Sequence, residues 1–263
     1  MIRKGLKIFR EEGIGAFVKK ASFYVLRNSL RYLFSPFIVG KFKISAYNIN
    51  DISDALDLAF SFQAFGVSIK PTQVKYEIAK LLEIIAELRP KVVLEIGTAG
   101  GGTLFLFTRV ADSRAKIISI DLPGGPFGGG YPKWKIPLYK SFSRKEQKIY
   151  LIRRDSHDPQ TLKEVEKILS GENIDFLFID GDHTYEGVKK DFEMYSSLVR
   201  EGGIIAFHDI VPGLPDNVGG VPRFWSQIKY EYKHLEIIKD WNQGGFGIGV
   251  IFASSKIRNT KPH

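Results

Sequence analysis

The stretch KVVLEIGTAGGGT, residues 91–103, decides the fold. It opens with a short apolar run of the kind that parallel strands show when both faces are covered, and glycines follow at once. Upstream, TQVKYEIAKLLEIIAEL (72–88) has helical spacing, with Val74, Ile78, Leu81, Leu82, Ile85 and Leu88 along one face and Pro90 as its stop. Downstream, strand-like runs at 116–122, 148–155, 174–180, 202–209 and 246–252 alternate with helical patterns at 103–111, 159–169, 185–199 and 222–231. This alternation predicts an α/β fold, a doubly wound, mostly parallel sheet with helices on both faces. The last run follows a glycine turn (Gly244, Gly245) soon after HLEIIKD (234–240), which predicts an antiparallel edge pair.

In open α/β sheets ligands sit beyond the carboxyl ends of the strands, at the point where strand order reverses. After the first strand, Glu95-Ile-Gly97-Thr98-Ala99-Gly100-Gly101-Gly102-Thr103 reads E-x-G-x-x-x-G-x-T. A dinucleotide fingerprint requires G-x-G-x-x-G, and Ala99 stands where its second glycine belongs. The pattern suits a cationic, carboxylate-bearing nucleoside better than a pyrophosphate, although a tight strand–helix turn would also use these glycines. Asp121 ends the next strand, 24 residues beyond Gly97, where a carboxylate is placed for ribose hydroxyls. Asp155-Ser156-His157-Asp158 follows the third strand; its polar groups would reach an adenine edge, while Asp158 before Pro159 also reads as a helix N-cap.

Asp180-Gly181-Asp182-His183 ends the fourth strand, and His208-Asp209 ends the fifth. Carboxylates and imidazoles converging at neighbouring strand ends suit a hard divalent cation or general-base chemistry.

The combination of Glu95–Thr103, Asp121, FIDGDHTYEGVKKDF (178–192) and LVREGGIIAFHD (198–209) resembles class I S-adenosylmethionine-dependent methyltransferases. Within them it is most similar to the cephalosporin-hydroxylase-like and macrolide-sugar O-methyltransferase group, over about residues 66–253. The resemblance implies a seven-stranded Rossmann-like sheet with a reversed last hairpin. It also implies S-adenosylmethionine as cofactor, with Glu95, Gly97, Thr98, Gly101 and Thr103 around its methionine part. Asp121 would take the ribose, and Asp155, Ser156 and His157 would surround the adenine. By the same resemblance Asp180, His208 and Asp209 are the ligands of a divalent metal, Mg or Mn. Imidazole at position 208 departs from the carboxylate usual there and suits Mn, Fe or Zn better. His183 would be the base that takes a hydroxyl proton near neutral pH, with Asp180 beside it.

The acceptor expected from this reading is a hydroxyl of a sugar, glycoconjugate or small metabolite. Two glycine-rich loops would choose it. Residues 123–132 form a candidate lid ending near Tyr131, Trp134 and Tyr139, whose rings would stack on a substrate. In 212–225, Asp216, Arg223 and Trp225 would contact polar groups. The alternatives are a metal-dependent hydroxylase-like enzyme and a non-catalytic cofactor-binding protein at a membrane surface.

Composition frames these readings. The chain has 263 residues, 44% of them hydrophobic and 25% charged, as in ordinary globular proteins. It has no Cys, which excludes disulfides, Cys-ligated zinc and thiol nucleophiles. The net charge of +9 is unevenly placed: residues 1–46 carry ten basic and two acidic residues, leaving 47–263 close to neutral. The chain therefore divides into a basic amphipathic helical arm, 1–46, and an α/β domain, 47–263. Gly13 and Gly15 would interrupt a first short helix and Pro36 would end a second. The window 21–40 contains Arg27, Arg31 and Pro36 and is too polar to span a bilayer, and no secretory signal pattern is present. The arm would pack on the domain, pack on a partner subunit of a homo-oligomer, or lie on an anionic membrane surface. No basic stripe with stacking aromatics marks the body for nucleic acid. A cytoplasmic protein, peripheral on the inner face of the membrane, fits these readings.

Overall fold

A computed structural model of the chain describes residues 30–124 and 130–254. The expected helix break at Gly13 and Gly15 and the signal-peptide reading lie outside the described residues.

Helix α1 covers 30–46 among those residues, so Pro36 does not end it. Proline removes one intrahelical N–H bond, but Ile38 and Phe42, each 1% exposed, bury the same helix in the main core and offset that loss. The inner half of the arm therefore packs as part of the body. Next come α2 (Ile52–Ser61) and a two-residue hairpin, β1 (Gln63–Ala64) and β2 (Val67–Ser68). None of these was marked by periodicity strong enough to be named from sequence.

The body follows as α3 (Lys75–Leu88), β3 (Val92–Ile96), α4 (Gly102–Val110), β4 (Lys116–Ile120) and α5 (Ile136–Lys140). After these come β5 (Lys148–Ile152), α6 (Pro159–Leu169), β6 (Ile174–Ile179), α7 (Tyr185–Tyr195) and β7 (Val199–His208). A short α8 (Pro215–Val218), α9 (Val221–Ile228), β8 (Lys233–Ile237) and β9 (Ile248–Phe252) complete it. The large sheet has seven strands in the order β5-β4-β3-β6-β7-β9-β8. All pairings are parallel except those of β9, which runs antiparallel to β7 and β8. The doubly wound α/β fold with a reversed last hairpin is thus present, as the sequence predicts.

β3 shows why the central strands read as unbroken apolar runs: all five of its residues are buried. Val93 joins the core under α1–α4, while Val92, Leu94 and Ile96 join the core under α6, α7 and α9. The chain winds outward from β3 through β4 to β5 and then returns to β6 on the other side of β3. The ends of β3 and β6 consequently form the crevice at which such sheets bind ligands.

Candidate functional site

At that crevice lies a cavity of about 440 Å³. Its wall is built from the residues that follow β3, β4, β5, β6 and β7, with Thr72, residues 216–218 and residues 244–246 closing the far side. Six aspartates face it, Asp121, Asp155, Asp180, Asp182, Asp209 and Asp216, against Arg154 and the imidazoles of His157, His183 and His208. Such a lining favours a cationic ligand or ion.

Gly97 makes the crevice narrow enough to be a site. It has φ +104°, and a Cβ there would stand 2.0 Å from the carbonyl oxygen of Asp180. Only glycine lets the two strand ends touch backbone to backbone. Asp180 then donates its amide to Ile96 O at 2.8 Å, which fixes the loop that carries His183. Asp121 faces the cavity but is already engaged: one oxygen accepts Ala99 N and the other Gly130 N, each at 2.7 Å. A carboxylate offers about four lone-pair positions, so acceptor capacity remains for hydroxyls.

Glu95, Thr98, Gly101 and Thr103 stand behind the wall. Glu95 is fully buried and accepts the hydroxyls of Thr103 and Ser119, while Thr98 shares a 2.5 Å hydrogen bond with Ser119. Thr103 thus spends its hydroxyl on Glu95 and is not presented to a cofactor carboxylate. Gly101 packs against the Tyr139 ring, where a Cβ would approach within 2.5 Å. Burial pushes the Glu95 carboxyl up to about 8, against the pull of the Ser119 and Thr103 hydroxyls. Residues 155–157 do reach the cavity, and Asp191, wholly buried in α7, lies 3.1 Å from His157 Nε2.

The four groups after β6 and β7 form one cluster. His208 Nδ1 lies 3.1 Å from Asp180 Oδ1 and 3.4 Å from Asp209 Oδ2. His183 Nε2 lies 3.4 Å from Asp180 Oδ1, and its Nδ1 donates to the carbonyl of Asn217. Burial would push Asp180 up, but the charges and hydrogen bonds of His208 and His183 hold it well below the usual carboxylate range. Burial likewise opposes charge on the imidazoles, yet Asp180 and Asp209 raise His183 to about 9 and His208 to about 10. The carboxylates thus favour the protonated form of both rings. Two carboxylates facing two imidazoliums carry the balance that one divalent cation would supply in place of two protons.

Asp180, His183 and Asp209 offer ligand atoms within 4.8 Å of one another, which suits such an ion. His208 is only 3% exposed, and its Nε2 is buried without a partner. Its Nδ1 sits between the carboxylates of Asp180 and Asp209.

Two functional residues escaped the sequence reading. Gln73, buried at the start of α3, donates to Asp180 Oδ2 at 2.7 Å. One turn later Glu77, fully buried, accepts Gly247 N at 2.9 Å, Lys239 N at 3.0 Å and Gln243 Nε2 at 2.7 Å. It thereby fixes the loop that lines the cavity with residues 244–246. The available signal was a pair of polar residues four apart beside an apolar helical stripe.

The proposed substrate-stacking rings are elsewhere. Tyr131, Trp134 and Tyr139 are core residues, with Tyr139 donating to Ala99 O at 2.8 Å. Their apolar area is worth more inside than on a loop surface. Trp225 is buried under Gly249 and donates to Glu236, and Arg223 lies over the Tyr185 ring. Of the second loop's three residues, Asp216 faces the cavity. Part of the candidate lid, 125–129, lies outside the described residues.

Residues 94–210 match the family model described as a methyltransferase domain, and every strand end named above lies within that span. An uncharacterised protein of Acanthamoeba polyphaga mimivirus is 35% identical over 118 residues, covering 44% of this chain and 50% of that protein. The rhamnosyl O-methyltransferase of Mycobacterium tuberculosis is 21% identical over 164 residues, covering 58% of this chain and 62% of that enzyme. The chain thus spans about half to three-fifths of the length of these relatives. A solved structure from Klebsiella pneumoniae, described as an O-methyltransferase, superposes with TM-score 0.50 at 14% identity over 82% of this chain and 96% of that one. That likeness is one of fold.

Proposed function

We propose that this protein is an S-adenosylmethionine-dependent O-methyltransferase acting on a hydroxyl of a sugar, glycoconjugate or small metabolite. The observation that carries the reading is the crevice itself. One acidic cavity joins the Gly97 turn, Asp121 and the Asp180–His183–Asp209 cluster, all inside the methyltransferase-domain match. The kinship with a rhamnosyl O-methyltransferase favours a sugar hydroxyl.

S-adenosylmethionine, when bound, supplies a methyl carbon already activated by its sulfonium. The chain's task is alignment and deprotonation. Gly97 would let the backbone approach the cofactor, Asp121 would accept from its ribose, and Asp155 with Ser156 would border its adenine. A divalent cation held by Asp180 and Asp209 would lower the pKa of an acceptor hydroxyl. His183, relieved of its own proton when the site's charge is met otherwise, takes the hydroxyl proton at Nε2. Its Nδ1, which donates to Asn217 O, keeps the ring in that orientation. His208 and Gln73 hold the Asp180 carboxylate in place.

A hydroxylase would make no use of the acceptor capacity that Asp121 keeps beside the Gly97 turn. Peripheral contact with a membrane through the basic N-terminal segment belongs to the same proposal. Among the described residues no helix is long and apolar enough to cross a membrane.

Calorimetric titration with S-adenosylmethionine and its demethylated product, with and without EDTA, tests the reading. Binding of both cofactor forms is expected, with methyl transfer restored by Mg or Mn after EDTA treatment. No binding of either form would refute it.

A further inference from the structure

Helix α1 is apolar on two opposite faces. Ser35, Ile38 and Phe42 point into the core. On the other side Leu33, Phe37 and Ile44 are 70%, 64% and 78% exposed, and their spacing keeps them on one stripe. Globular proteins rarely present such a row to water unless something covers it.

The hairpin β1–β2 extends this surface. Its turn is Phe65-Gly66, both with positive φ, +50° and +69°. A bulky aromatic is a poor choice for that conformation, where Asn or Gly would serve. Yet Phe65 is 57% exposed and stacks on Phe34 with ring centroids 5.3 Å apart and planes at 14°. Strain accepted for an outward-facing aromatic indicates that the ring itself is used.

The charges on α1 itself are of one sign. Residues 30–46 contain Arg31, Lys41 and Lys43 and no carboxylate, and Lys70 follows the hairpin. The preceding residues 1–29 add seven basic and two acidic side chains. Apolar side chains rimmed by cations fit an anionic phospholipid surface, where each basic residue and each inserted ring adds to binding. A second copy of this chain would bring an equal positive charge against it.

The inner face of α1 and the hairpin are tied to segments that support the cavity. Ser35 donates to Trp134 O at 3.2 Å, and Arg31 lies over the Trp134 ring, next to the segment whose Gly130 amide binds Asp121. The hairpin runs directly into Thr72, which lines the cavity, and Gln73, which binds Asp180.

We propose that the outer stripe of α1 and the Phe65 turn form the surface that docks this protein on an anionic bilayer. Docking there would hold the protein at the membrane, where the acceptor hydroxyl would belong to a saccharide carried at that surface. The inference deepens the membrane contact proposed above and rests on it, while the lipid contact itself is independent of the methyl-transfer chemistry.

The test uses the full chain and a variant with Leu33→Ser, Phe37→Ser and Phe65→Asn. Both are floated with phosphatidylcholine vesicles with and without phosphatidylserine, with S-adenosylmethionine titration and light scattering in parallel. The native chain should float with the phosphatidylserine vesicles only, and the variant should lose at least tenfold in partition while binding cofactor unchanged. Equal flotation of variant and native chain would overturn the docking surface even if the N-terminal segment binds lipid. A native chain that stays with the buffer would overturn both, as would a dimer that the substitutions dissociate without any flotation. Flotation with no cofactor binding would leave the surface standing and defeat the methyltransferase reading instead.

Discussion

The carboxylate of Glu77 accepts the backbone amide of Gly247 at 2.9 Å, across 170 residues of sequence and with both groups buried. The same carboxylate holds Lys239 and Gln243, while the amide of Phe246 donates to Asp209 Oδ1 at 3.1 Å. One turn earlier, Gln73 holds Asp180. The first turn of α3 and Gln73 just before it therefore align both carboxylates of the candidate metal cluster, one directly and one through a loop.

Replacing Glu77 by Ala would strand the buried Gly247 amide and release the part-buried donors of Lys239 and Gln243. A hydrogen bond to a charged group contributes about 1.5–3 kcal/mol, and a buried donor left unmet costs a further amount of similar size. A loss of roughly 3 kcal/mol in urea unfolding is expected, with weaker Mn binding because Asp209 loses its fixed loop. Wild-type stability in the variant would show that the loop is held by other contacts.

Gln73→Ala should behave differently, since it removes a single donor from Asp180. Fold stability would change little, whereas metal affinity or turnover would fall roughly tenfold, the scale typical of residues that orient ligands. Gln73→Glu places a second carboxylate against Asp180 and should be worse than Ala. Comparing melting curves with metal titrations separates the two effects.

Gly97→Ala tests the crevice. The added methyl would overlap the Asp180 carbonyl, so β3 and β6 must part at their ends. The expected cost is about 2–4 kcal/mol of stability, with cofactor binding lost even at temperatures where the variant stays folded.

Much of this architecture was legible in the sequence because its signals are local. β3 through β9 announce themselves as apolar runs, and Gly97, Asp121, Asp180, His183, His208 and Asp209 follow from asking what stands just past each strand. What stayed hidden depends on packing over long sequence separations. Glu77 looks like an ordinary helix-surface carboxylate until the 239–247 loop is folded over it. Tyr131, Trp134 and Tyr139 look like substrate platforms until α1 and α4 cover them. Thr103 looks like a ligand for the cofactor until Glu95 is seen beside it. Pro36 looks like a stop because the core contacts of Ile38 and Phe42 cannot be read from spacing alone.

Glu95 makes the stability of the empty protein depend on pH in an unusual direction. An ordinary paired carboxylate is lowered by folding and stabilises a protein above its unfolded value. Here burial dominates, and the folded value rises to about 8 from an ordinary 4.5. Between those limits the native state keeps a proton that the unfolded chain has released, so stability falls as pH rises through this window and levels off above it. A tenfold difference in proton affinity between the two states corresponds to about 1.4 kcal/mol, so raising pH from about 6 to about 8 should remove roughly 2 kcal/mol through this group alone. Glu95→Gln keeps the size of the side chain and its contacts with Thr103 and Ser119 but cannot ionise. Its melting temperature, measured without cofactor, should therefore decline less than that of the native chain between about pH 6 and 8, and the two curves should converge toward about pH 5. Parallel curves across the whole range would mean that Glu95 is already ionised in its buried site, with Thr103 and Ser119 outweighing burial.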